Sequence, residues 1–254
     1  MKKKLLWTTL AASLALVGCK NMDAGNIGGI METGSSAMKA MSLSDDDVVK
    51  LSNESCQAMD AQSKVAGAGS KYTQRLNRIV ARMPQTVNGK KAAYKVYLTK
   101  DVNAWAMDNG CIRVYSGLMD LMNDDEVRGV LGHEIGHVAL GHSKKSMQTA
   151  YAASAVRSAA ANSGNAAVAA LSQSQAGELG EKFINAQFSQ SQESAADDYS
   201  FDLLTEKKMN RQGLVTAFQK LAKLSGGSSG SSILSSHPPS EKRAAHIQDR
   251  LDGK

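Results

Sequence analysis

The chain has 254 residues, 42% of them hydrophobic and 21% charged, with 30 Lys and Arg against 24 Asp and Glu. That is enough apolar material for a sizeable core, and it excludes an intrinsically disordered chain. The formal charge of +6 includes Lys2, Lys3 and Lys4, and losing these with a leader leaves +3. So weak an excess, with no phosphate-binding loop or basic stripe, points away from nucleic acid as a partner.

Lys2-Lys3-Lys4 and the apolar run over residues 5–17 have the charged and apolar regions of a secretory signal, and the run is too short to span a bilayer. It ends Leu16-Val17-Gly18-Cys19, which resembles the bacterial lipobox. Residues 1–18 are therefore expected to be removed as a lipoprotein signal peptide, with Cys19 lipidated on its sulfur and new amino group. Lys20, in place of the Asp that marks inner-membrane retention, favours the outer membrane with the domain facing the periplasm. Residues 19–43, rich in Gly, Ser, Met and Asn, read as a tether. Cys56 and Cys111 are the remaining thiols, and an oxidising compartment makes them a disulfide candidate.

The folded domain is expected over residues 44–254. Ser44-Asp45-Asp46-Asp47 predicts a helix start, and Tyr72, Leu76, Ile79 and Val80 fall at helical spacing. Pro84 and Asn88-Gly89 end that region. Residues 93–98, 103–107 and 111–115 alternate in the manner of strands around an Asp108-Asn109-Gly110 turn, which predicts a small, mostly antiparallel sheet. After residue 142 the chain becomes rich in Ala, Ser, Gln and Asn up to residue 190. Helices broken near Ser163-Gly164-Asn165 are expected there, either as a cover over a cleft, as an interaction surface or as a passive hairpin. Further helices follow from Gln192 and over residues 214–224. A Gly/Ser loop over residues 225–232 then leads to Ser236-His237-Pro238-Pro239 and a last helix over residues 240–251.

The most informative stretch is Val130-Leu-Gly-His-Glu-Ile-Gly-His-Val-Ala-Leu-Gly-His142. On a helix, His133 and His137 project from one face a turn apart, where two imidazoles can hold one zinc ion. Glu134 beside them is placed to act as a general base rather than a ligand. Asn123 as a cap, Asp124, Asp125 and Glu126 in the first turn and Gly141 beyond the last turn support the helix. His142 lies about half a turn out of phase, and the third-ligand position of the metzincin pattern is Ser143. His142 therefore reads as a helix-end or second-sphere histidine. Glu193 and Asp197, four apart on a later helix, suit a third ligand and its support.

Taken together, His133-Glu134-x-x-His137, Glu193-x-x-Ala196-Asp197, His237-Pro238 and Arg243 resemble the gluzincin metalloproteases that include HtpX-like and BepA-like membrane-associated proteases and CAAX prenyl endopeptidases. The resemblance implies an α+β, mainly helical zincin-type fold and one Zn(2+) per chain held by His133, His137 and Glu193. It implies Glu134 as base, His237 near the metal, Asp197 and Arg243 in support, and Asn103, Ala104, Trp105 and Ala106 as the strand that binds extended substrate. The expected activity is zinc-dependent cleavage of unfolded or misfolded envelope proteins by a lipid-anchored enzyme. Other envelope proteases or the outer-membrane assembly machinery are the expected further partners. The transmembrane helices of HtpX-like members and the helical repeats of BepA-like ones have no counterpart in this sequence. A periplasmic chaperone or assembly factor with a structural zinc is the alternative, and Glu134 argues against it. No Gly-x-Ser-x-Gly elbow supports a nucleophilic hydrolase.

Overall fold

Ser44 opens the first helix, α1 (Asp45–Gln62): its hydroxyl receives the Asp47 N–H, and the Asp47 carboxylate accepts from the Ser44 N–H. The structure, a computed structural model, describes residues 43–154, 171–225, 232–237 and 241–253. The signal segment, Cys19, the tether before residue 43, the expected break near Ser163-Gly164-Asn165, most of the Gly/Ser loop and Pro238-Pro239 lie outside the described residues.

Helix α2 (Lys71–Val80) buries Leu76, Ile79 and Val80, three of the four positions its spacing selects, with Tyr72 partly buried against the same core. Asn88-Gly89 then does more than end the region. With φ of 48° and 74° these two residues form the turn of a short hairpin, β1 (Thr86–Val87) and β2 (Lys90–Lys91). Three strands follow, β3 (Ala93–Tyr97), β4 (Ala104–Ala106) and β5 (Cys111–Tyr115), in the spatial order β3-β5-β4. The tight turn at Asp108-Asn109-Gly110 makes β4 and β5 an antiparallel pair, Ala104 opposite Val114 and Ala106 opposite Ile112. On the other side of β5, β3 runs parallel to it from Ala93–Cys111 to Tyr97–Tyr115. Within this three-stranded sheet the β4–β5 pairing is thus antiparallel, as expected, while the longer β3–β5 pairing is parallel, and the antiparallel β1–β2 hairpin is a separate sheet. Alternation reports which face a side chain takes, not the direction of the neighbouring strand.

The remaining described elements are helical: α3 (Ser116–Leu121), α4 (Asp124–Ala139), α5 (His142–Ala153), α6 (Gln173–Ile184), α7 (Gln190–Glu206), α8 (Gln212–Ser225), α9 (Ser232–Ser236) and α10 (Glu241–Leu251). A mainly helical α+β fold results. The sheet separates two apolar clusters. One joins α2, α4, α7, α8 and the Ala104, Ala106, Ile112 and Val114 side of the sheet; the other joins α1, α5, α6, Tyr97, Trp105 and Met107. Cys56 and Cys111 are bonded across 55 residues and tie α1 to β5.

Helix α4 lies at the centre of the first cluster and is buried almost throughout. Glycines let its neighbours come close. A Cβ on Gly129 would stand 2.8 Å from Leu214 Cα of α8, and one on Gly136 would stand 3.1 Å from Ala196 O of α7. Close approach of α7 is what brings its acidic residues to the histidines of α4. Among the described residues no helix is long and apolar enough to cross a membrane.

Candidate metal centre

The helix that carries the His-Glu pattern is capped as its sequence predicts. Asn123 accepts from the Glu126 N–H while the Glu126 carboxylate accepts from the Asn123 N–H, and Gly141 takes φ 74° just past the C-terminus. His133 and His137 then stand one turn apart with their Nε2 atoms 3.0 Å from each other. Glu193, in the first turn of α7, places Oε1 3.3 Å from His137 Nε2 and Oε2 3.7 Å from His133 Nε2. His237, following α9, adds Nδ1 at 3.2 Å from His133 Nε2 and 2.9 Å from Glu193 Oε1. One ligand atom from each of these four residues lies within 4.8 Å of the others.

The outer faces of these groups are occupied. His133 Nδ1 donates to Asp197 Oδ1 at 2.7 Å, which leaves a lone pair on the inward Nε2. Arg243 Nε and Nη2 donate to Asp197 at 2.6 and 2.7 Å, and its Nη1 donates to Glu193. His142, out of phase as a ligand, lies behind His137 with the two Nδ1 atoms 3.1 Å apart. Burial drives the His137 pKa well below the ordinary histidine value, so it is neutral. Burial pushes Glu193 up, but hydrogen bonds with His137 and His237 outweigh it and hold the carboxyl far below its usual range.

His133 Nε2, His137 Nε2 and the Glu193 carboxylate turn towards one point, a donor set that a cation would complete. In a tetrahedral zinc site with bonds of about 2.0–2.1 Å, ligand atoms stand roughly 3.3 Å apart. The separations of 3.0 Å between the two Nε2 atoms and 3.3 Å from His137 Nε2 to Glu193 Oε1 are close to that spacing. Donors of two imidazoles and one carboxylate suit zinc.

Glu134 lies beside this cluster without joining it. Its side chain is 4% exposed, its Oε1 has no hydrogen-bond partner among the described residues, and that atom is 3.6 Å from His237 Nε2. Burial raises its pKa, and the neighbouring His237 and His133 offset part of that rise. The strand expected to meet substrate, β4, is at the sheet edge, and Ala104, Trp105 and Ala106 line one small space together with Glu134 and His237. Asn103 is buried and turns its Oδ1 to the Ala104 N–H.

A sequence profile described as Peptidase family M48 matches residues 70–251. The chain belongs to peptidase family M48. Metalloprotease LoiP of Escherichia coli (strain K12) is 52% identical over 251 residues, covering 99% of this chain and 98% of that protein. Metalloprotease YcaL of the same strain is 49% identical over 253 residues, again 99% and 98% of the two chains. Protease HtpX of Shewanella sp. (strain ANA-3) is 41% identical over 66 residues, 24% of this chain and 23% of that protein. The gluzincin reading of the sequence is thereby established, and the chain is a metallopeptidase with His133, His137 and Glu193 as its candidate metal ligands.

Two features of this M48 site escape sequence reasoning. Phe188 stacks on His137 with ring centroids 3.8 Å apart, and Phe218 meets His133 edge-on at 6.1 Å. The available signal was scarcity: there are only four Phe in the chain, and Phe183, Phe188 and Phe218 all line space around the site.

Proposed function

We propose that this metallopeptidase is a zinc endopeptidase acting on unfolded or loosely folded envelope proteins, held at the periplasmic face of the outer membrane by lipid on Cys19. The observation that carries the reading is the buried Glu134 Oε1, with no hydrogen bond among the described residues, beside three converging ligands. A structural zinc site needs the ligands but has no use for a second carboxylate buried without a hydrogen bond on that oxygen.

Zinc, when bound, supplies Lewis-acid polarisation of the scissile carbonyl and lowers the pKa of water towards about 7. Glu134 takes a proton from the attacking water and passes it to the leaving amine, and burial, by raising its basicity, suits it to that transfer. His237 faces Glu134 Oε1 and Glu193 Oε1 and can donate to the oxygen that gains charge. Arg243 and Asp197 keep Glu193 and His133 in their orientations.

Substrate class follows from shape. An edge strand recognises an extended backbone, and extended backbone belongs to chains that are not folded. Beside Glu134 an apolar cavity of about 520 Å³, lined by Val130, Phe218, Leu221, Ile233 and Leu234, suits a large apolar side chain next to the scissile bond. The lipobox-like residues before Cys19 support the anchor.

The test is zinc per chain and cleavage of an unfolded protein for wild type, Glu134→Gln and His137→Ala. Glu134→Gln should keep zinc and lose about 10²–10⁴-fold in rate, whereas His137→Ala should lose zinc and activity together. Full zinc with no cleavage by wild type, or undiminished cleavage by Glu134→Gln, would leave the structural-zinc chaperone as the better reading.

A further inference from the structure

The two halves of the cleft differ. Next to α8 and α9 the apolar cavity of about 520 Å³ is large enough for a side chain, whereas the space left between β4, Glu134 and His237 is about 10 Å³. The smaller space is no more than a single water needs. Yet this is the half in which a substrate backbone has to lie. Tyr115 N donates to Asn103 O and Met107 N to Cys111 O, so by antiparallel alternation the peptide groups of Ala104 and Ala106 point away from β5. Of these, the Ala104 N–H already donates to Asn103 Oδ1 and the Ala106 carbonyl accepts from Ser143 Oγ, so the Ala104 carbonyl and the Ala106 N–H are the groups an added strand would pair with. Ala104 and Ala106 are only 1% and 3% exposed, their side chains packed into the core with α4, and little space is left along the edge itself.

The cover is the chain's own. Phe183 and Ile184 end α6, Ser189 caps α7, and the strap between the two helices turns Phe188 into the cleft. The Phe188 ring stacks on His137 at 3.8 Å and lies 5.1 Å from His237. Its N–H donates to the Ser236 carbonyl at 3.2 Å, joining the strap to the segment that carries His237. Phe188 is held by the stack on His137, looser ring contacts with His237 and His142 and this one backbone hydrogen bond, while Ser189 caps α7 independently of it.

We propose that residues 184–188 are an autoinhibitory plug. Phe188 holds the pairing edge of β4 shut over the ligand cluster, and an extended apolar peptide opens it by taking the place of the Phe188 ring. This rests on the reading of the chain as a protease that pairs substrate with β4.

The experiment compares wild type and Phe188→Ala on a short quenched-fluorescence peptide with leucine beside the scissile bond. Zinc content and Tm are measured alongside. If the open cleft is populated in about one molecule in ten, removing the ring raises kcat/KM by about tenfold at unchanged zinc content. Bound zinc should also pass to a chelator faster. Lower kcat/KM at full zinc content, or an unchanged rate of zinc release, overturns the proposal and makes Phe188 a packing or substrate-holding residue.

A second measurement does not depend on that variant folding. In Glu134→Gln, hydrogen exchange is followed with and without the same peptide. Binding should protect the Ala106 amide while residues 184–188 exchange faster. Peptide bound with residues 184–188 unchanged sinks the plug. Failure of the protease reading looks different, since there wild type with full zinc cleaves nothing whatever the exchange shows.

Discussion

Asp197 Oδ1 lies 2.7 Å from His133 Nδ1, while the other nitrogen of the same ring faces His137. One buried carboxylate on α7 thereby decides which tautomer a histidine on α4 presents. Asp197→Asn keeps the shape but loses an acceptor shared with Arg243, so the zinc affinity should fall by about 10–100-fold. Competition with a chelator of known affinity measures it. An unaltered affinity would reduce Asp197 to an anchor for Arg243.

The Cys56–Cys111 bond closes a 55-residue loop between α1 and β5. In the chain-entropy picture a loop of this length contributes about 4 kcal/mol, by restricting the unfolded chain. Replacing both cysteines by Ser should lower the denaturant midpoint accordingly, with zinc saturated in both proteins. A loss below about 1 kcal/mol would place the stability of this region in packing instead.

Asp60 gives the fold a pH dependence away from the metal. Burial raises its pKa, but hydrogen bonds from Arg113, Lys95 and Tyr97 outweigh that and bring it down to about 2. The folded value lies below the unfolded value of 3.8, so the stabilisation is complete above about pH 4 and is lost as pH falls towards 2. Asp60→Asn should cost about 2 kcal/mol at pH 7. Urea unfolding at a series of pH values should show the two proteins converging below pH 4, and a gap of constant size would contradict the assignment.

Gly129→Ala sets two effects of opposite sign against each other. Alanine favours the helix by about 1 kcal/mol. Its Cβ, however, would stand 2.8 Å from the Leu214 Cα and 3.0 Å from the Leu214 N, which are backbone atoms and cannot rotate aside. Separating α4 from α8 should cost about 1–3 kcal/mol and should widen the apolar cavity that Phe218 lines. Thermal unfolding decides, and a higher Tm would show that α8 yields without loss.

Much of the site was legible in the sequence because a helix converts spacing into direction. His133 and His137 had to share a face of any unbroken helix, and Asn123, Glu126 and Gly141 set the ends of that helix through local hydrogen bonds and one left-handed residue. The exclusion of His142 as a ligand followed from the same arithmetic, whereas spacing only made Glu193 and Asp197 compatible with a ligand and its support, and the family resemblance assigned those roles. Leu76, Ile79 and Val80 were marked as core by helical spacing in the same way.

Other features depend on contacts between residues far apart in the chain, which local pattern does not encode. Alternation in β3 and β5 was visible, but their parallel pairing depends on β4 returning along the far side of β5. Convergence of His133, His137, Glu193 and His237 required α7 to approach α4 at Gly136 and a separate segment to bring His237 across. The burial that alters Glu134 and the fit of Phe188 over His137 belong to the assembled cleft alone. Hydrogen-bond geometry within one or two turns is fixed by neighbours in sequence, whereas desolvation and ring contacts exist only once distant segments have excluded water together.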